Sequence, residues 1–150
     1  GQDILTNIDG LKPLVKDEDI VVFGYRDAEQ SAHYGSQDVL DTNMHTFDLS
    51  KIKKLKIANA ASLAIGSLLK SRIDGFWIHL DADVLDDSIM PAVDYRLEGG
   101  LSFSELSDLL RILYSSGHAV GMSITIFNPR IDFDGSIARK FVSSIVTGLL

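Results

Sequence analysis

The alternation of short apolar runs with amphipathic segments predicts a layered α/β fold built on a mostly parallel sheet. Three apolar runs end abruptly at turn-forming or polar residues: Ile20–Phe23 before Gly24, Phe76–Leu80 before Asp81, and a longer run before Asn128-Pro129. Such runs read as buried strands. The segments between them have helical periodicity, and strand–helix–strand order implies right-handed parallel crossovers. The 150 residues, 45% hydrophobic and 23% charged, suit one folded domain, and a domain of that size buries about 68–70% of its unfolded surface.

Taken in order, residues 1–19 hold Gly10, Pro13 and a charged cluster from Lys16 to Asp19 ahead of the first strand. Met44–Leu49 alternates loosely and reads as a second strand. Ala58–Lys70 is rich in Ala and Leu and reads as a helix, with Gly66 counting against it. Phe76–Leu80 is the clearest strand and runs straight into Asp81-Ala82-Asp83. After a loop with Pro91, Gly99 and Gly100, Ser102 and Glu105 form a capping box. Phe103, Leu106, Leu110 and Leu113 then fall on one helical face, and Gly117 closes the helix. Ala119–Phe127 is nearly all apolar, as a strand covered on both faces should be, and Asn128-Pro129 stops it. Asp134-Gly135-Ser136 introduces a last helix with Ala138, Phe141, Val142, Ile145, Val146 and Leu149 on one side. There is no repeat, linker or low-complexity segment.

Fourteen basic against 21 acidic side chains give a net charge of −7. That charge repels phosphate backbones and anionic membranes and favours cations or cationic substrates. The absence of Cys excludes disulfides and thiolate metal sites, so a metal must be held by oxygen and imidazole. No apolar run approaches a membrane span, and the first residues lack the basic-then-apolar order of a signal peptide. A cytoplasmic protein is expected.

Ligands of open α/β sheets bind beyond the carboxyl ends of the strands. Three stretches qualify: Gly24-Tyr25-Arg26-Asp27, Asp81-Ala82-Asp83, and Asn128-Pro129. Asp81 and Asp83, one residue apart at a strand end, can project to the same side and share a hard cation such as Mg or Mn. The same pattern also serves as a polar strand exit capping backbone donors, and it occurs in metal-dependent nucleotide-sugar transferases. His79 shares their parity and could supply a third ligand, but the preferred reading of a His inside an apolar run is a satisfied core residue or one that orients a ligand. His33, His45 and His118 have no partner at metal-ligand spacing. Taken alone, Arg26 and Asp27 read as an ion pair at the rim and Glu29 as a solvated acid.

The surroundings of these residues are more specific. His79-Leu80-Asp81-Ala82-Asp83-Val84-Leu85-Asp86, then Met90-Pro91-Ala92-Val93-Asp94, then Gly99-Gly100-Leu101-Ser102 resembles the ureohydrolase signature of arginases and agmatinases. Gly24-Tyr25-Arg26-Asp27 resembles that family's Gly-x-Arg-Asp strand end, and Phe127-Asn128-Pro129 its later Asn-Pro. The resemblance runs from about Asp19 to Leu150.

It implies a three-layer α/β/α fold of which about the second half is present, residues 1–150 being the C-terminal portion of a single domain. It also implies a hydrolase in which two Mn ions hold a hydroxide that attacks a guanidine- or amidine-type carbon. Asp81 matches the metal-bridging carboxylate and Asp83 a ligand of one ion; His79, Arg26, Asp27 and Asn128 fall around them. Glu29 falls where the family meets a substrate α-amino group. The other ligands, a His and an Asp-x-His-x-Asp stretch, have no counterpart in these residues and are expected from a missing N-terminal half. Homo-oligomers are implied as well.

A second departure is Ile126, which by ungapped counting from Asn128-Pro129 stands where the family places a guanidinium-binding Glu. If the strand continues through it, Ile124 and Ile126 share one wall of the metal pocket. Asp81 and Asp83 are expected at the end of a central strand flanked by Ile20–Phe23 and Ala119–Phe127. The alternative to a hydrolase is an arginase-fold protein with a binding or assembly role; a metal–nucleotide enzyme is the third possibility.

Overall fold

The computed structural model of the chain describes residues 7–70 and 72–150. The apolar, β-branched runs form the strands β1 (Val21–Phe23), β2 (His45–Phe47), β3 (Phe76–Asp81) and β4 (Ala119–Thr125). β1 and β2 pair in parallel, Val21 opposite His45 and Phe23 opposite Phe47. β3 and β4 also pair in parallel, with Asp81 opposite Thr125. The two pairs are not joined by a ladder. This corrects the expectation that β3 is flanked by strands on both sides: among the described residues β4 is its only ladder partner, and β1 pairs with β2 instead.

Helices make the crossovers: α1 (Ala28–His33) between β1 and β2, α2 (Leu49–Leu55) and α3 (Ile57–Lys70) between β2 and β3, α4 (Phe103–Ser115) between β3 and β4, and α5 (Ser136–Leu149) after β4. The expected strand Met44–Leu49 is shorter because Asp48 caps a helix there, accepting a hydrogen bond from Lys51 N at 2.6 Å. Lys56, with φ +69°, breaks α2 from α3. β4 ends two residues early because Ile126 has φ +70°, a conformation that a β-branched residue rarely adopts.

The capping box of Ser102 and Glu105 forms in full, each side chain accepting from the other's backbone N–H. α5 is held at its start by Asp132, whose buried carboxylate accepts from Ile137 N at 3.1 Å and Ala138 N at 2.8 Å. That carboxylate satisfies amides the first turn would otherwise leave unpaired.

The core gathers Ala60, Ala61 and Ala64 of α3, Leu106 and Leu110 of α4, Phe141 and Ile145 of α5, and Leu80 of β3. Burying each large side chain contributes about 1.5–3 kcal/mol. Val142 and Val146, expected on the buried side of α5, are exposed instead. The contact with α4 is made by smaller residues. A Cβ on Gly148 would stand 2.7 Å from Ser107 O, and Ser107 Oγ donates to Ser144 O at 2.8 Å.

The helices cover the Ile78–Leu80 face of the β3–β4 sheet. The opposite face is open, with Trp77 61% exposed and the His79 side chain 60% exposed. Coverage of β4 on both faces, expected from its apolar sequence, is therefore not found.

Candidate active site

Between the end of β1 and the exit of β3 lies a cavity of about 240 Å³, lined by Val22 to Asp27, Asp81, Asp83, Val84, Tyr95 and Leu97. Gly24 allows the approach. It sits at φ +86°, and a Cβ there would meet Val84 Cγ2 at 2.7 Å.

Arg26 fastens the two sides together. Its Nη2 donates to the carbonyls of Asp83 at 2.9 Å, Leu85 at 3.2 Å and Leu97 at 2.8 Å, while Nε donates to Glu98 O at 3.1 Å. The expected Arg26–Asp27 ion pair does not form, because backbone carbonyls take the guanidinium and Asp27 accepts from Ser31 Oγ at 3.1 Å. A planar fork with five donors suits such a cluster of acceptors.

Asp81 is the last residue of β3, and Asp83 sits in the 3-10 turn Ala82–Val84 that follows. Both line the cavity. Partial burial pushes the Asp83 carboxyl up from its ordinary value, the Asp81 charge pushes it further, and Arg26 opposes both. Asp81 Oδ1 accepts from the Thr125 hydroxyl and lies 3.3 Å from His79 Nε2. His79 itself faces the open sheet surface rather than the cavity.

The other sequence-nominated residues lie apart. Glu29 is exposed in the first turn of α1, outside the cavity lining. Asn128 Nδ2 donates to Asp94 Oδ1 at 2.7 Å and Asn128 N to Ala92 O at 2.8 Å, tying the exit of β4 to the loop before it. Much of the long motif is scaffold of this kind. A Cβ on Gly100 would stand 2.3 Å from Leu85 C, and Asp86 accepts from Gly99 N at 2.6 Å and Ser88 N at 3.0 Å. Hydrogen bonds, that of the Ser88 hydroxyl first, hold the Asp86 carboxyl below its ordinary value.

The apolar wall is not built as expected. Ile124 stands opposite Leu80 and so belongs to the face away from Asp81. Ile126, turned to positive φ, leaves the strand's alternation, and neither isoleucine lines the cavity. Tyr25 and Tyr95 line it instead, and burial is the leading cause raising both phenols. Tyr25 lay inside a nominated strand end; Tyr95 follows a motif Asp but carries no periodic signal.

Among the described residues no group of three or more His, Asp or Glu side chains converges to hold a metal. Asp81 and Asp83 offer hard oxygen donors of the kind Mg and Mn favour, short of the roughly six ligands of an octahedral site.

Residues 10–150 match the family model described as the arginase family. An arginase of Staphylococcus aureus (strain MRSA252) is 33% identical over 134 residues, covering 89% of this chain and 43% of the relative. An arginase of Brevibacillus brevis is 32% identical over 144 residues, covering 95% and 47%. The crystal structure of arginase from Bacillus subtilis superposes with a TM-score of 0.84 at 25% identity, covering 99% of this chain and 54% of that one. The chain thus spans about half the length of the relatives it matches.

Proposed function

Because the chain belongs to the arginase family, we propose that it supplies one part of the acidic centre of a metal-dependent hydrolase cleaving a C–N bond of a guanidine- or amidine-type small molecule. What carries this reading is the meeting of Asp81 and Asp83 in one cavity at the carboxyl end of a parallel strand. Two Mn ions, when bound, would supply Lewis acidity and an activated water at neutral pH.

The chain's own residues do the holding. Asp81 and Asp83 would hold the metal, as their match to the family's ligand positions suggests, and they bring two carboxylates to the cavity. Arg26 fixes the Asp83 backbone, and Thr125 fixes the Asp81 carboxylate. The acidic lining attracts a cationic substrate. The remaining ligands come from polypeptide beyond these residues, in a cytoplasmic protein that assembles as a homo-oligomer.

Ile126 bears on the substrate. Its alkyl side chain accepts no hydrogen bond, so a guanidinium finds no carboxylate at that position. Arginine is therefore the less favoured substrate; Ile126 and Glu29 both stand outside the cavity lined by these residues and would meet a substrate only where further polypeptide extends it.

The test is an assay of the intact gene product with Mn(II) against arginine, other guanidino compounds and amidines, reading urea and ammonia. Asp81→Asn and Asp83→Asn are each expected to lower kcat/KM by about 100-fold or more. Turnover unaffected by either substitution would overturn the assignment, and robust arginine turnover would overturn the role given to Ile126.

The absence of a convergent group of three metal-capable side chains among the described residues favours a second reading, an arginase-fold protein with a binding or assembly role. Folded intact protein that is silent across the panel with Mn(II) decides for it.

A further inference from the structure

The open face of β3–β4 carries an unbroken row of hydrogen-bonded side chains. Trp77, His79 and Asp81 alternate along β3, and Ser123 and Thr125 stand opposite His79 and Asp81 on β4. Trp77 Nε1 donates to Ser123 Oγ at 3.2 Å, Ser123 Oγ lies 3.0 Å from His79 Nδ1, and His79 Nε2 lies 3.2 Å from Thr125 Oγ1. The Thr125 hydroxyl donates to Asp81 Oδ1. Gly121, opposite Trp77, leaves room for the indole: a Cβ there would stand 2.1 Å from the ring.

The carboxylate end of the row fixes its direction. An ionised carboxylate can only accept, so Thr125 spends its single proton on Asp81. The contact between Thr125 and His79 is then made by the ring's Nε2–H. Ser123, which accepts from Trp77, keeps its own proton for His79 Nδ1.

We propose that this row is the positioning device of Asp81. Thr125 clamps the carboxylate through Oδ1; His79, held at Nδ1 by Ser123, donates to the Thr125 hydroxyl; and Oδ2 stays free for a cation. The use of Oδ2 rests on the reading of Asp81 as a metal ligand, whereas the clamp stands on hydrogen-bond geometry alone.

The two parts are tested separately by NMR of the intact gene product. Without metal, ring-nitrogen shifts should show His79 carrying a proton on Nε2 and accepting at Nδ1, and couplings should show one χ1 rotamer for Asp81. Trp77→Phe, at an exposed position, leaves the Thr125 contact in place and should keep that tautomer, whereas Thr125→Val removes its partner and should give a mixture of tautomers. Thr125→Val should let Asp81 average over its rotamers, and Thr125→Ser should restore the single one. An Nδ1–H tautomer in the wild type, or a single Asp81 rotamer retained in Thr125→Val, would overturn the clamp.

Titration with Mn(II), read by paramagnetic broadening at Asp81 and Asp83, tests the free oxygen. Thr125→Val should weaken binding about tenfold or more, as loss of a group that orients a ligand does, while Thr125→Ser stays within about twofold. Broadening equal in wild type and Thr125→Val would overturn the role of the clamp in holding metal. No broadening in any variant would overturn the ligand assignment of Asp81 and leave the clamp to the tautomer and rotamer measurements.

Discussion

The two faces of the β3–β4 sheet are written in alternate residues of the same strands and do opposite things. Ile78, Leu80 and Met122 pack into the helix-covered core, while Trp77, His79 and Asp81 stand on the open face and bond to one another through Ser123 and Thr125. A shift of one residue exchanges one set for the other. The division separates stability from chemistry within a single strand: the core face fixes where Asp81 stands, and the open face fixes how its carboxylate points.

The largest expected effect breaks the core face. Leu80→Ala, at a position 6% exposed, should destabilise by about 2–5 kcal/mol in urea denaturation, because the cavity left behind adds to the lost burial. A cost below about 1 kcal/mol would show that the core there is loosely packed.

Next comes the bend that ends β4. Ile126→Gly relieves a β-branched residue held at φ +70° and should raise stability by about 1 kcal/mol. A loss of stability would mean that contacts of the isoleucine outweigh its backbone strain.

On the open face, His79→Ala should change stability by no more than about 0.5 kcal/mol, as exposed substitutions do, while releasing the tautomer-dependent bonds to Ser123 and Thr125. A cost comparable to that of Leu80→Ala would erase the division between the faces.

The smallest effect is in pH. The folded state raises the Asp83 pKa, so Asp83 favours folding when protonated, and that contribution is lost as pH rises through the folded value. Asp86, whose pKa is lowered, behaves oppositely: its contribution is present at neutral pH and lost as pH falls through the folded value. Asp83→Asn should therefore be slightly more stable than wild type at pH 7, with the gap closing on acidification, and Asp86→Asn less stable, also with a closing gap. Denaturation curves at several pH values decide both signs.

What was legible in the sequence was local. Ser102 and Glu105 announce the start of α4 because a capping box is completed within four residues, and Phe76–Leu80 reads as a strand because its run and its polar end are contiguous. The same locality brought Asp81, Asp83 and Arg26 to one region, since strand ends are visible one strand at a time. The sequence missed what depends on partners far along the chain. Arg26 was paired with its neighbour Asp27, whereas its acceptors are 57 to 72 residues away. Alternation puts Ile124 and Ile126 on one wall, but the positive φ of Ile126 ends that alternation. The apolar pattern of α5 places Val142 and Val146 on the buried side because apolarity cannot tell which side of a helix meets Ser107, Ser144 and Gly148.

The division of the strands into two separate ladders has a consequence for how the chain behaves in concentrated solution. Among the described residues each two-stranded ladder has outward rows of amide and carbonyl groups without a strand beside them, and the sequences VVF, HTF, FWIHLD and AVGMSIT contain no Lys or Pro to discourage a newcomer. Such edges are templates on which another molecule can add a strand. The chain by itself should therefore become turbid more readily as its concentration rises, and a Lys placed at exposed Val120, on β4, should suppress that association with little effect on the fold.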